Sequence, residues 1–277
     1  MSDMNETING LLRGSFDLHV HAFPDGTIFN LPRRMNAFQT VEEAHKAGMA
    51  GLVLKAHEFL TAPLVSTLAP QFPDMQLVGA IVLNKTVGRL IPEVVEAAVR
   101  LGARMVWMPT FHAHLYSMER LKQPGISILD QTGRLLPAVM AILQVIQGHG
   151  AVLNTGHISP EEIRVLVPEA LHRNIKTVIT HGTFRVPLED MRSLAQKGAF
   201  VEHAFHATLG NGRFPEMADI IKAVGIPQSI ISSDFGGAYD PPPVEGMRMF
   251  IASLLRLGFQ DREIERMGKV NPKGLFS

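Results

Sequence analysis

At 277 residues, with 46% hydrophobic and 19% charged side chains and no low-complexity tract, the chain reads as an ordinary globular protein large enough for one sizeable core. Its 26 Lys and Arg balance 26 Asp and Glu, which argues against nucleic acid and anionic membranes as partners and favours a small-molecule substrate. The absence of cysteine excludes disulfides, thiolate metal sites and a cysteine nucleophile together, so any metal must be held by His, Asp, Glu or a modified Lys.

Residues 1–13 read as an N-terminal extension ahead of one domain over 14–277. They lack the charged region and apolar run of a signal peptide, and no apolar stretch reaches the roughly 20 residues of a membrane span, so the expected location is the cytoplasm. Beyond them, short β-branched apolar runs alternate with segments of helical periodicity. The expected strands are Phe16 to His21, Gly51 to His57, Gln76 to Leu83, Ala103 to Thr110, Ala151 to His157, Thr177 to His181, Ala199 to His203 and Ser229 to Asp234. Helical spacing marks Val41 to Ala47, Pro63 to Ala69, Ile91 to Leu101, Leu136 to Gly148, Pro160 to Arg173, Leu188 to Gln196 and Phe214 to Val224. Val244 to Leu257 and Gln260 to Met267 close the chain. Ser159-Pro160 opens one helix, and Gly102, Gly198 and Gly225 end others.

Strands separated by helices imply right-handed parallel crossovers, and eight such units close into a (β/α)8 TIM barrel. An open doubly wound sheet is the rival. Against it, the first strand runs into Ala22-Phe23-Pro24-Asp25 instead of a glycine fingerprint. Phe111 to Arg134, after strand four, is the longest stretch without periodicity and is expected to overlie the site.

A barrel of this kind carries its chemistry at the C-terminal ends of its strands. With 12 histidines in the chain, about 16 such positions would hold roughly 0.7 His by chance. Strands one, two, five and six alone supply His19, His21, His57, His157 and His181, so the clustering calls for a chemical reason. His19 and His21 stand two apart on a strand, project to one face and can take neighbouring positions on one ion. Asp234 ends strand eight, where the competing reading is a turn or cap aspartate. For each histidine taken singly the competing reading is a buried structural imidazole.

His-x-His on strand one, His157 and His181 after strands five and six, and Asp234 after strand eight together resemble the amidohydrolase superfamily, over most of the chain. The closing Asn271-Pro272-Lys273-Gly274-Leu275-Phe276 is similar to the Asn-Pro tail of those enzymes. The resemblance implies that His19, His21 and Asp234 bind the more buried metal, that His157 and His181 serve a second metal or the substrate side, and that Asp234 doubles as proton acceptor. The family's bridging ligand, a carboxylated Lys or a Glu at the end of strand four, has no counterpart in Trp107-Met108-Pro109-Thr110-Phe111-His112. A second resemblance is to the polymerase and histidinol phosphatase family: Asp17-Leu18-His19-Val20-His21 followed by Pro24-Asp25-Gly26 is similar to its first motif, and His57 stands where its second motif places a ligand. Asn84 and Asp234-Phe235-Gly236 depart from that family's later motifs.

Read from the residues, His57 is a ligand or substrate contact. Lys55, deeper on the same face, is a carboxylated bridge, a substrate-binding cation or the ion partner of Glu58 or Asp17, the last being preferred. His112 and Glu202 are candidate substrate contacts, Glu202 also a candidate for the missing carboxylate, and Arg185 is a candidate clamp for a substrate anion. The expected activity is hydrolysis of a small amide, cyclic amide or lactone by metal-activated water, with Asp234 shuttling the proton and His181 or His57 stabilising the oxyanion. One or two divalent ions are expected, zinc first, then manganese or iron. The alternatives are a phosphoesterase similar to the second family and a metal-dependent decarboxylase or lyase. The oligomeric state stays open, a homo-oligomer included.

Overall fold

The computed structural model describes residues 2–182, 186–209 and 214–277. Eight parallel strands follow one another in chain order around a barrel: β1 (Phe16–Val20), β2 (Gly51–Leu54), β3 (Gln76–Val82), β4 (Ala103–Trp107), β5 (Val152–Asn154), β6 (Thr177–Ile179), β7 (Phe200–Ala204) and β8 (Ser229–Ser232). The seam between β8 and β1 is closed just past the strand ends, where the Asp234 amide donates to the His19 carbonyl and the His21 amide to the Phe235 carbonyl, both at 2.9 Å. The (β/α)8 architecture expected from the alternation is the one observed.

The helices that cover the strands are α1 (Ser2–Leu12), α2 (Ala37–Lys46), α3 (Ala62–Leu68), α4 (Pro92–Arg100), α5 (Pro137–His149), α6 (Pro160–His172), α7 (Leu188–Gln196), α8 (Phe214–Val224) and α9 (Pro243–Arg256). Their starts follow from local chemistry. Ser159 and Glu162 form a reciprocal capping box with Pro160 in the first turn of α6, and Asn36 with Gln39 does the same for α2. None of the described helices is long and apolar enough to cross a membrane.

Ahead of the barrel, α1 packs against α9 and buries Ile8, Leu11 and Leu12. One expectation is corrected. The strands stop short of the predicted ends, so that His21, His57, His157, His181 and Asp234 all lie one to three residues beyond them. The reason is backbone geometry: His181 and Asp234 are left-handed at φ 49° and 56°, a conformation that leaves the strand. Within 111–134, helical turns form at His114–Tyr116 and Ser117–Leu121.

The barrel interior is graded. Its N-terminal half holds Phe16, Leu18, Val53, Val78, Ala80, Met105, Val152, Val178 and Ile230, plugged by Leu275 and Phe276 of the C-terminal tail. Above them the alternation of the strands brings Lys55, Asn154, Thr180, Glu202 and Ser232, all buried. This polar layer is the floor on which the site rests.

Candidate metal site

The imidazoles of His19 and His21 are oriented from behind by carboxylates. His19 Nδ1 lies 2.9 Å from Glu202 Oε1, and His21 Nδ1 lies 2.9 Å from Asp25 Oδ2. A carboxylate only accepts, so each Nδ1 carries a proton and each Nε2 faces inward, where the neutral ring presents its lone pair. There the two meet Asp234: Oδ1 is 2.9 Å from His19 Nε2 and 3.5 Å from His21 Nε2, while Oδ2 is 3.5 Å from His181 Nδ1. Ligand atoms of His19, His181 and Asp234 all fall within 4.8 Å of one another.

Acceptors this close repel unless positive charge lies among them, and that is the test of fit for a cation. The structure shows the same demand in two ways. Lys55 Nζ points at His19 Nε2 from 2.8 Å. The His19 imidazole is also pushed up to about 9: burial opposes its charge, but Asp234 and Glu202 outweigh both burial and the repulsion from Lys55. Burial likewise disfavours a charged Asp234, yet His19 and His181 hold its carboxyl well below the usual range. Burial lowers His181 to about 3, against the pull of Asp234, so this ring is neutral, and its Nδ1 is buried without a hydrogen bond. An imidazole and carboxylate set with inward lone pairs fits a divalent ion.

A second group, His21, Asp25 and His57, also gathers ligand atoms within 4.8 Å. Its carboxylate is already engaged: Asp25 Oδ1 accepts from the His57 amide at 2.7 Å, and Oδ2 accepts from His21 and from Arg33. Asp25 therefore fixes the orientation of the His21 ring. The His57 ring stacks on His21 with centroids 4.7 Å apart, and its Nδ1 sits 2.9 Å from Thr110 Oγ1, itself held by Asn84.

A cavity of about 630 Å³ opens above this floor, lined among others by His21, Lys55, His57, His157, His181 and Asp234. Five of the six residues expected to bind metal thus line one space, and the sixth, His19, lies directly beneath it, fully buried. Three expectations are corrected. Glu202 does not face the cavity; it is fully buried, and its oxygens meet His19, Ser232 and the His181 amide, so it orients the His19 ring and is not placed to touch substrate. His112 turns away, its Nδ1 accepting from the Lys85 amide at 3.4 Å. Lys55 pairs with neither Glu58 nor Asp17: Glu58 accepts from the Phe29 amide, and Asp17 from the amides of His19 and Ser233. Burial lowers the Lys55 amine to about 8, against the attraction of Asp234 and Glu202. Arg185 lies outside the described residues.

Asp25 had no role in the reading of the sequence, although it stands four residues after His21 in the quoted motif. The carboxylate four positions beyond a candidate ligand was the available signal. For the orienting role of Glu202 no local signal existed, since its partner lies 183 residues away.

The fold is similar to several solved structures. The probable dipeptidase PvdM from Pseudomonas aeruginosa matches with a TM-score of 0.70 at 13% identity, over 99% of this chain and 98% of that one. The phosphotriesterase homology protein from Escherichia coli, complexed with phosphate in its active site, matches with a TM-score of 0.66 at 14% identity, over 95% and 99%. A dihydroxybenzoic acid decarboxylase from Polaromonas, with bound manganese and an inhibitor, matches with a TM-score of 0.58 at 12% identity, over 95% and 97%. At these identities the likeness is one of fold. No curated protein matches by sequence. The model of the family of unknown function DUF6282 matches residues 14–202, which include the His19 and His21 pair, His57, His157, His181 and Glu202 but stop short of Asp234; it spans well over half of the chain, and the chain belongs to that family.

Proposed function

We propose that this protein is a metal-dependent hydrolase acting on a small amide, cyclic amide or lactone. The observation that carries the reading is the inward convergence of His19 Nε2, His21 Nε2 and Asp234 Oδ1, with both imidazoles backed by carboxylates. His19, His21, His181 and Asp234 would hold the ion, with His57 and His157 toward the substrate; zinc suits this donor set first, then manganese or iron. Such an ion would supply a Lewis acid for a carbonyl and would lower the pKa of a water from 15.7 to about 7.

The chain's own residues supply the rest. Asp234, ionised and still 13% exposed on its side chain, is placed to accept a proton at its carboxylate and pass it to the leaving group. His57 is kept neutral by burial and by the nearby positive charge of Lys55, and with Nδ1 on Thr110 its Nε2 edge is left to meet the negative charge that develops on a carbonyl oxygen. The hydrolase names among the similar folds support this reading, including a putative 2-pyrone-4,6-dicarboxylic acid hydrolase from Pseudomonas putida. A second reading, a decarboxylase on the same barrel, is favoured by the manganese recorded in the similar decarboxylase.

Elemental analysis together with a panel of lactones, cyclic amides, dipeptides, aryl phosphates and aromatic acids tests both. The expected result is at least one divalent ion per chain, lost in His19→Ala and Asp234→Ala, and turnover among the amides or lactones. Carbon dioxide release from an aromatic acid, without hydrolysis, would replace the first reading by the second. Metal-free protein, or turnover that survives both substitutions, would overturn the site itself.

A further inference from the structure

The cavity has a second charged feature, set apart from the metal-binding floor. Two arginines line it. Arg33 is committed, its guanidinium paired with Asp25. Arg120 forms no ion pair or hydrogen bond with any described residue, although it is one of the cavity's walls. Tyr116, four residues earlier, lines the same space.

The segment that carries them is fastened at many points. Ser117 Oγ donates to the Gln123 carbonyl at 3.0 Å, the His114 amide to the Ile126 carbonyl at 2.8 Å, and the Ile126 amide to the His112 carbonyl at 2.7 Å. Ile128 is tied to the Glu162 carboxylate at the start of α6. Gly125 runs so close to His114 that a Cβ there would lie 2.4 Å from the His114 Cα. Arg120 itself sits in the π-helical turn Ser117–Leu121, which ends at left-handed Lys122. Such one-turn bulges recur at functional sites. A guanidinium held on an anchored turn loses less freedom on binding than one on a free loop.

Beside it stands an aromatic wall. Phe111 stacks on Tyr116 with centroids 5.5 Å apart and planes at 24°, and Leu31 and Pro32 line the cavity as further apolar surface. Flat apolar groups pack well against such rings. The planar fork of a guanidinium matches a carboxylate through two parallel hydrogen bonds. At about 630 Å³ the space is of the size that holds one small molecule.

We propose that the substrate is a small ring-bearing carboxylate, its anionic group taken by Arg120 and its flat body lying against Phe111 and Tyr116. Arg120 is thus a specificity-determining residue. The assignment rests on the hydrolase reading for what happens at the floor, but its test is one of binding alone.

Calorimetric titration of benzoate, its neutral isostere benzamide, and acetate, each into metal-stripped and zinc-loaded protein, decides the matter. Benzoate is expected to bind at least tenfold more tightly than either other probe, in both forms of the protein. Arg120→Gln should lower benzoate affinity tenfold or more and leave benzamide unchanged, with Arg120→Lys between the two. The side chain is exposed, so the melting temperature and metal content of both variants should match the parent. A benzoate preference that vanishes when the metal is stripped would assign the anion to the ion and overturn the proposal. Undetectable benzoate binding, or a preference that Arg120→Gln leaves intact, would overturn it equally. If the binding pattern holds while no hydrolysis is found, the substrate class stands and the hydrolase reading falls.

Discussion

A neutral imidazole offers a lone pair on one nitrogen only, so whatever meets Nδ1 decides what Nε2 can do. Glu202 and Asp25 settle this for His19 and His21 without reaching the cavity themselves. Replacing either by its amide keeps the shape but removes the charge and makes the acceptor compete with an N–H donor. Glu202→Gln and Asp25→Asn should therefore each lower divalent metal affinity by about 10- to 100-fold, measured by competition with a chromogenic chelator. Unchanged affinity would show that the carboxylates are dispensable for orientation. His203, the neighbour of Glu202, makes the contrasting case. It is buried on the opposite face of β7, with Nε2 3.1 Å from Ser229 Oγ, and burial lowers it to about 3 despite the pull of Glu202. The unfolded chain protonates this ring below about 6.5 while the fold does not, so stability is present above that pH and is lost as pH falls toward 3. His203→Gln, which keeps a donor near Nε2, should flatten the decline in melting temperature between pH 6.5 and 4. A variant that declines as steeply as the parent would exclude His203 as a source of acid lability.

The elements that carry the site owe their precision to the turns that follow them. Strand existence and order were legible from the β-branched runs, because period and length are local properties. The strand ends were less so: His181 and Asp234 look like continuations of Thr177-Val178-Ile179 and Ser229-Ile230-Ile231 until their left-handed backbones are known. The histidine positions were legible because a barrel's chemistry is confined to one end, whereas the orienting role of Glu202 depended on which side chains β1 and β7 bring together across the interior. The turn after β8 shows how little room is left. Gly236 has φ 142°, and a Cβ there would lie 2.0 Å from the His21 carbonyl oxygen. Adding one methyl must push β1 and the Asp234 turn apart at the barrel seam. Gly236→Ala should thus weaken metal binding at least tenfold, with a lowered melting temperature, and a variant that binds metal normally would show that the seam has slack. The segment 111–134 was read as a cover; what the sequence did not disclose is that Gly125 and the left-handed Lys122 brace it into a wall.

The whole molecule separates its tasks along the barrel axis. Chemistry-bearing residues sit past the C-terminal ends of the strands, while the opposite end is filled by an apolar layer and sealed by the tail. Leu275 is fully buried against this layer, and Phe276 lies with its ring 5.5 Å from Phe16. The tail is also pinned by polar contacts, since Lys176 Nζ donates to the Gly274 and Ser277 carbonyls and Arg104 reaches the Phe276 carbonyl. Truncating a buried leucine leaves a cavity that close-packed neighbours fill only in part, so Leu275→Ala should destabilise the fold by about 2–5 kcal/mol. The candidate metal site rests on a different layer, built from Lys55, Glu202 and Ser232, none of which belongs to the apolar cluster around Leu275. Below the variant's lowered melting temperature, metal affinity should stay within about twofold of the parent, as expected for distant sites without shared partners. Denaturant unfolding and metal titration of the same preparation measure the two quantities side by side. A large loss of metal affinity at preserved fold would mean that the plug and the site are one cooperative unit, and the division of labour along the axis would have to be given up.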